Sequence, residues 1–289
     1  MILTVCADKG SPGVSTVATV LGMVWPGERV LLEADPSGGD AALRMRTPGG
    51  QLLAREPTIR ALSVDARGGV LPSSLLDYAQ QTSVGLPVIP TSDMRTQDLA
   101  LIARQWSAVA AVANQWPGTV VADVGRLQED SASGPVAAAS TLVLLVGRAG
   151  PEGLYHLRER AAALALRLGQ GLHGRSPLTV AVICPAKEHG ARLRELQVHM
   201  GAEAVTAAIP IAGWIAEDPQ GLQALRQGQL SRRLLGSDLI RSASSLAETL
   251  LAWWPQILTA GPGASGAGLA PGAPGSPISP SMNSGGWAS

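Results

Sequence analysis

The chain has 289 residues, 46% of them hydrophobic and 15% charged, and its 22 basic and 22 acidic side chains cancel to a formal charge of zero. That length and apolar content can build a sizeable core, while the neutral balance gives no whole-molecule attraction toward nucleic acid or an acidic membrane, so any such binding has to be local. Cys6 and Cys184 lack zinc or redox spacing and read as small buried thiols, and His156, His173, His189 and His199 are scattered without metal-ligand spacing.

The N-terminal MILTV enters a strand at once, with no basic leader or cleavage signature, and no uncharged apolar stretch is long enough to span a bilayer, so a cytoplasmic protein is expected. Short apolar runs follow at 2–6, 30–34, 86–90, 119–123, 141–146, 178–183 and 204–209. Their hydrophobicity is continuous rather than alternating, which suits strands buried on both faces. Helices are expected at 14–24, 96–113, 151–168, 189–199 and 238–257, with Pro26 and Gly27 ending the first. The predicted class is α/β, a doubly wound and mostly parallel sheet flanked by helices, over a domain of residues 1–258. Residues 259–289 are expected to form a disordered tail, because from Gly261 onward Gly, Pro, Ala and Ser predominate and bury too little apolar surface to offset chain entropy.

In such a sheet ligands sit beyond the carboxyl ends of the strands. After the first run stands CADKGSPGVST, residues 6–16, which leaves a strand and opens a helix as a phosphate-binding loop does. Gly10 and Gly13 can give positive φ and close backbone approach, and the helix amides point toward an anion. The ordinary pattern, G-x-x-x-x-G-K-[ST], has lysine where this chain has Val14. A plain glycine-containing turn is the alternative for the loop taken alone.

Three segments together resemble one family. KGSPGVST resembles the deviant Walker A motif of the ParA and MinD partitioning and positioning ATPases, with Lys9 at the extra-lysine position. VLLEADPSGGD resembles the family's strand followed by D-x-D-P-x-G, with Glu33 and Asp35 in the acidic places, and VVADVGR resembles its Walker B strand, ending in Asp123 with Gly125 beyond. The likeness runs over about residues 1–257 and takes in GRAGPEGLYHLRERAAAL and the late loop IPIAGWIAEDPQGLQALRQG.

The resemblance implies ATP, of uncertain base identity, and Mg2+ as cofactors, with Gly10, Ser11, Gly13, Val14, Ser15 and Thr16 around the phosphates. Ser15 would coordinate Mg2+, and Asp123 would hold it through water. Asp35 would position the attacking water, and Lys9 would reach across a homodimer to the partner's phosphates. The residue-level alternatives are an Asx turn for Asp35 and a strand-end cap for Asp123.

The departures fall on charge and on donors. Val14 removes the cis lysine, Ser11 replaces a glycine, and Pro12 has no N–H. Phosphoryl transfer depends on positioning and on neutralising charge, so the missing cation would have to come from Lys9 of a partner subunit, Arg126 or Arg148. After the sixth strand, Cys184 and Pro185 stand where the family often has an asparagine against adenine.

Arg226, Arg232, Arg233 and Arg241 could give a non-specific DNA surface, although a solvated helix face is preferred. Packing of Trp253 and Trp254 onto the domain is preferred to a membrane-binding helix, since Glu248 to Leu258 carry no basic residue.

Two functional readings stay open. One is a nucleotide-dependent dimerising switch with slow ATP hydrolysis, which positions DNA or a secretion or pilus apparatus through a protein cargo or activator. Segment 75–90 looks most like atypical, pilus-associated members. The other is a pseudo-ATPase that serves as a scaffold or localisation factor.

Overall fold

The apolar runs become strands because both faces of the sheet are covered. The computed structural model describes residues 1–9, 13–69, 73–91, 96–169, 176–228 and 230–254. Its strands are β1 (Ile2–Ala7), β2 (Arg29–Glu33), β3 (Val88–Ile89), β4 (Thr119–Arg126), β5 (Leu142–Arg148), β6 (Leu178–Cys184) and β7 (Ile211–Ala216). They form a single parallel sheet in the order β3-β2-β4-β1-β5-β6-β7. The α-helices, in chain order, are α1 (Val14–Val24), α2 (Ala41–Arg44), α3 (Ile59–Arg67), α4 (Thr96–Ala103), α5 (Trp106–Gln115), α6 (Gly134–Ala138), α7 (Pro151–Leu168), α8 (His189–Met200), α9 (Ala204–Ala207), α10 (Pro219–Arg226), α11 (Arg232–Leu235) and α12 (Asp238–Trp253).

Alternate residues of each strand enter different cores. Ile2 and Cys6 of β1 pack in a cluster with Trp106 and Val109 of α5 and Leu154 and Leu157 of α7. Leu3, Val5 and Ala7 pack on the other face with Val14, Val17 and Leu21 of α1 and Leu239, Ala243 and Leu246 of α12. A strand apolar at every position is what this two-sided burial requires. Burial pushes the Cys6 thiol up to about 12, so it behaves as a small hydrophobe.

Strand β1 lies in the middle, with β4, β2 and β3 on one side and β5, β6 and β7 on the other. The chain after β1 therefore emerges where the winding direction changes, which is the ligand crevice of doubly wound sheets. Helix α1 starts there, from Gly13 in the left-handed conformation with φ 73° and ψ 22°, and it ends at Val24 ahead of Pro26 and Gly27.

The expected strand at 204–209 is not one. Residues Ala204–Ala207 make a turn of helix held by the buried Thr206, whose hydroxyl donates to the carbonyl of Met200 at 2.6 Å, and the strand begins after Pro210. Alanine favours helix, whereas Ile211, Trp214 and Ile215 have the branched and aromatic side chains that a pleated surface accommodates. The single helix expected at 96–113 is two, broken at Arg104 and Gln105, whose N–H groups turn back to Leu101 and Ile102. The last helix stops at Trp253. Trp254 is buried in the core and Trp253 packs beside it, as the packing reading required. The tail expected at 259–289 lies outside the described residues.

Trp25 closes the lower end of this core, 2% exposed, with its indole N–H donating to the Thr119 hydroxyl at 3.2 Å. Trp25→Ala leaves a large cavity and an unpaired hydroxyl, and should lower the unfolding free energy by about 3–5 kcal/mol. Urea melts should show this as a shifted midpoint at unchanged slope.

Candidate functional site

Three neighbouring strands deliver the side chains of the crevice. In register, Asp123 of β4 lies beside Glu33 of β2 on one side and Val5 of β1 on the other. Ser15, the second residue of α1, lies with Asp123 on the wall of one cavity, and the Asp123 Oδ1 accepts the Gly125 N–H at 3.0 Å. Gly10 and Ser11 lie outside the described residues. The structure thus brings together Gly13, Ser15, Thr16, Asp35 and Asp123 from the residues read out of the sequence.

Two buried acids stand side by side. Asp123 is 4% exposed, and burial pushes its pKa up to about 6; the Ser15 hydroxyl, the Gly125 hydrogen bond and the Arg44 charge pull it back, while the Asp35 charge adds to the rise. Glu33 is pushed by burial up to about 7, with the Asp123 charge adding to the rise, although three donors oppose it. Its Oε1 accepts the Ala41 N–H at 2.8 Å, and its Oε2 accepts the Thr91 N–H at 2.9 Å and the Thr91 hydroxyl at 3.4 Å. Glu33 therefore ties the end of β2 to the start of α2 and to the chain after β3.

Asp35 makes the Asx turn that its sequence suits. Its Oδ1 accepts the Ser37 N–H at 2.8 Å in an Asx turn. Its other oxygen lies over Gly125, where a Cβ would stand 2.0 Å from it. Gly125 has φ +59°, so both backbone and space call for glycine there. Lys9 is exposed beyond β1.

Val14, in the lysine slot, is 1% exposed within the core. Of the candidate compensating arginines, Arg148 forms an exposed ion pair with Glu217, and Arg126 is exposed at the end of β4. Of the four arginines considered for DNA, Arg226 lines a narrow cavity of about 50 Å³ with Ser15 and Asp123, while Arg232, Arg233 and Arg241 line a hollow of about 720 Å³ with Lys187.

Sequence reasoning missed three features. Asp8 is held by Arg160 of α7 at 2.7 and 2.8 Å, with His156 at 3.5 Å, and nothing in the linear pattern announces it. Arg44 joins Ser15, Thr16 and Asp123 in lining the narrow cavity, its only signal being the i, i+4 spacing to Asp40. Gly39 is required by close approach, because a Cβ there would lie 2.1 Å from the Glu33 carboxyl carbon.

No protein-family model and no curated protein sequence matches the chain. Solved structures do. A ParA family ATPase from Chlorobium tepidum TLS superposes with a TM-score of 0.62 at 18% identity, covering 86% of this chain and 98% of that one. The septum site-determining protein MinD complexed with Mg-ADP, from Pyrococcus horikoshii OT3, gives 0.64 at 14% identity over 89% and 98%. The fold is that of the ParA and MinD ATPases. An ATP complex of a Cyanothece McdA variant gives 0.59 at 17% identity, over 86% and 95%.

The residues of this ParA/MinD-like crevice fit a magnesium nucleotide. A left-handed glycine opens an 11-residue helix beyond β1, and the Ser15 hydroxyl and Asp123 carboxylate, on the wall of one cavity, are the oxygen donors a hard cation takes. Among the described residues no group of three His, Cys, Asp or Glu side chains could hold a metal alone, so phosphate oxygens and water would complete the shell. Among the same residues no helix is long and apolar enough to cross a membrane.

Gly39→Ala should displace the Glu33 carboxylate and cost about 1–3 kcal/mol, read from thermal or urea unfolding. Glu33 in the folded chain keeps a proton that the unfolded chain loses above about pH 4.5, so its contribution is present below that pH and lost as pH rises through about 7. Unfolding free energy should therefore fall across that window. Glu33→Gln, though less stable overall because an amide would face a backbone N–H, should flatten the fall by up to about 3 kcal/mol in a pH series of urea melts.

Proposed function

We propose that the chain binds a magnesium nucleotide, ATP in the first instance, at Gly13–Thr16 and works as a nucleotide-dependent homodimeric switch. The observation that carries this reading is that Ser15, at the head of α1, and Asp123 line one cavity, with Asp35 leaning over Gly125. Ser15 and, through water, Asp123 would hold Mg2+, which when bound neutralises phosphate charge. Asp35 would orient the attacking water, and its Asx turn fixes the carboxylate for that task. Lys9 is exposed at the mouth of the crevice, where it can reach a facing subunit.

An apolar hollow of about 150 Å³, lined by Gly13, Thr16, Val17, Ile183, Ile215 and Pro219 among others, adjoins the loop and is our choice for the base. The similar structures are of ParA, MinD and McdA proteins, and by that likeness of fold we assign the switch to the positioning of cargo, whether DNA or a secretion or pilus apparatus. Val14 in the core makes any turnover slow. It also favours the second reading, a scaffold that binds nucleotide without hydrolysing it.

Calorimetry of the full chain with Mg-ATP and Mg-ADP, with oligomeric state followed in parallel, tests the proposal. Binding with an ATP-dependent dimer is expected, Lys9→Ala should abolish that dimer, and Ser15→Ala should weaken Mg-dependent binding by about tenfold. No binding at millimolar nucleotide would overturn the reading, and dimerisation unchanged in Lys9→Ala would remove the trans role of that lysine.

A further inference from the structure

The cations near the loop divide by what already holds them. Arg160 is committed to Asp8 by two contacts and Arg148 to Glu217, while Lys9 and Arg126 stand exposed at strand ends. Val14 points into the core and leaves its slot without charge. Arg44 differs from all of these. It ends α2, whose first residue is anchored by the Glu33 carboxylate, and Glu33 sits in register beside Asp123. That anchor brings Arg44 to the wall of the narrow cavity it shares with Ser15, Thr16 and Asp123, close enough for its charge to act on the Asp123 carboxylate.

Its own partner is weak. The pair with Asp40 spans one helical turn, with side chains 48% and 54% exposed, and such pairs contribute little and are readily exchanged. Arg226, Ser15 and Thr16 line the same cavity, beside the acids Glu33, Asp40 and Asp123. Arg46 lines it too, but its guanidinium is held on the carbonyls of Leu43 and Met45, and the Thr19 hydroxyl is held on the Ser15 carbonyl. Arg44 is thus a cation on a wall it shares with the first residues of a helix, and a planar guanidinium can take two phosphate oxygens at once.

We propose that Arg44 is the phosphate-binding cation of this site, supplying in cis from the α2 side the charge that Val14 denies the loop. Asp40 holds the guanidinium until a phosphate displaces it. The inference rests on the nucleotide reading above.

The test is calorimetry of full-length Arg44→Ala, Arg44→Lys and Asp40→Ala with Mg-ATP and Mg-ADP, beside wild type and the exposed control Arg67→Ala. Arg44→Ala should weaken Mg-ATP binding by about 10–100-fold. Arg44→Lys should recover part of it, because a point charge replaces a fork, Asp40→Ala should bind as tightly as wild type or tighter, and Arg67→Ala should match wild type. Thermal melts should show all variants folded, and Arg44→Gln replaces the alanine variant if that one melts early. Wild-type binding with Arg44→Ala and Arg44→Gln unchanged would overturn the role of Arg44 and leave the nucleotide reading standing. Absence of wild-type binding would overturn both.

Discussion

Asp123 lies within β4 opposite Glu33, the last residue of β2, and the two acids stand in register inside the protein. Burying a carboxylate is expensive, and burial raises the proton affinity of both, the Asp123 charge adding to the rise at Glu33 and the Asp35 charge to that at Asp123. What holds them is a set of donors drawn from three different segments. Ala41 comes from the start of α2, Thr91 from beyond β3 and Gly125 from the end of β4. The two acids therefore organise the crevice, since each donor fixes the backbone of the segment that carries it.

The glycines follow from the same constraint. Gly39 has no side chain because the Glu33 carboxyl group occupies the place of its Cβ, and Gly125 has none because Asp35 lies over it in a left-handed turn. Three acids can then crowd the ends of two strands without steric conflict, and Asp35 remains the more open of them, half-buried and fixed by its own turn. A divalent cation beside Asp123 would offset the burial that raises its proton affinity.

Much of this was legible in the sequence. The strands up to β6 could be read because two-sided burial leaves no polar gap, and α1, α7 and α8 because Gly, Pro and periodicity mark their ends. Ser15, Asp35 and Asp123 stood out because the segments that carry them resemble the motifs of the ParA and MinD ATPases. The seventh strand was misplaced because Ala204–Ala207 is as apolar as a strand while its composition favours helix. Arg44 and the Asp8–Arg160 pair were invisible because their meaning depends on contacts set by tertiary structure: one lies at the wall of a cavity, the other joins positions 152 residues apart.

Val14 shows how one position trades charge against packing. A lysine there would stand at the positive end of a helix dipole, a placement that an unliganded helix resists and a bound phosphate relieves. Valine instead adds a buried side chain to the core formed by Val5, Ala7, Val17 and Val146, worth about 1.5–3 kcal/mol on general grounds. The buried side chain thus strengthens the core at the head of α1 and brings no charge to it. A charged side chain that does reach the cavity beside Ser15 is Arg44 of α2, a helix whose first residue is held by Glu33. The buried acid beside Asp123 thus also places an arginine at the wall of the same cavity.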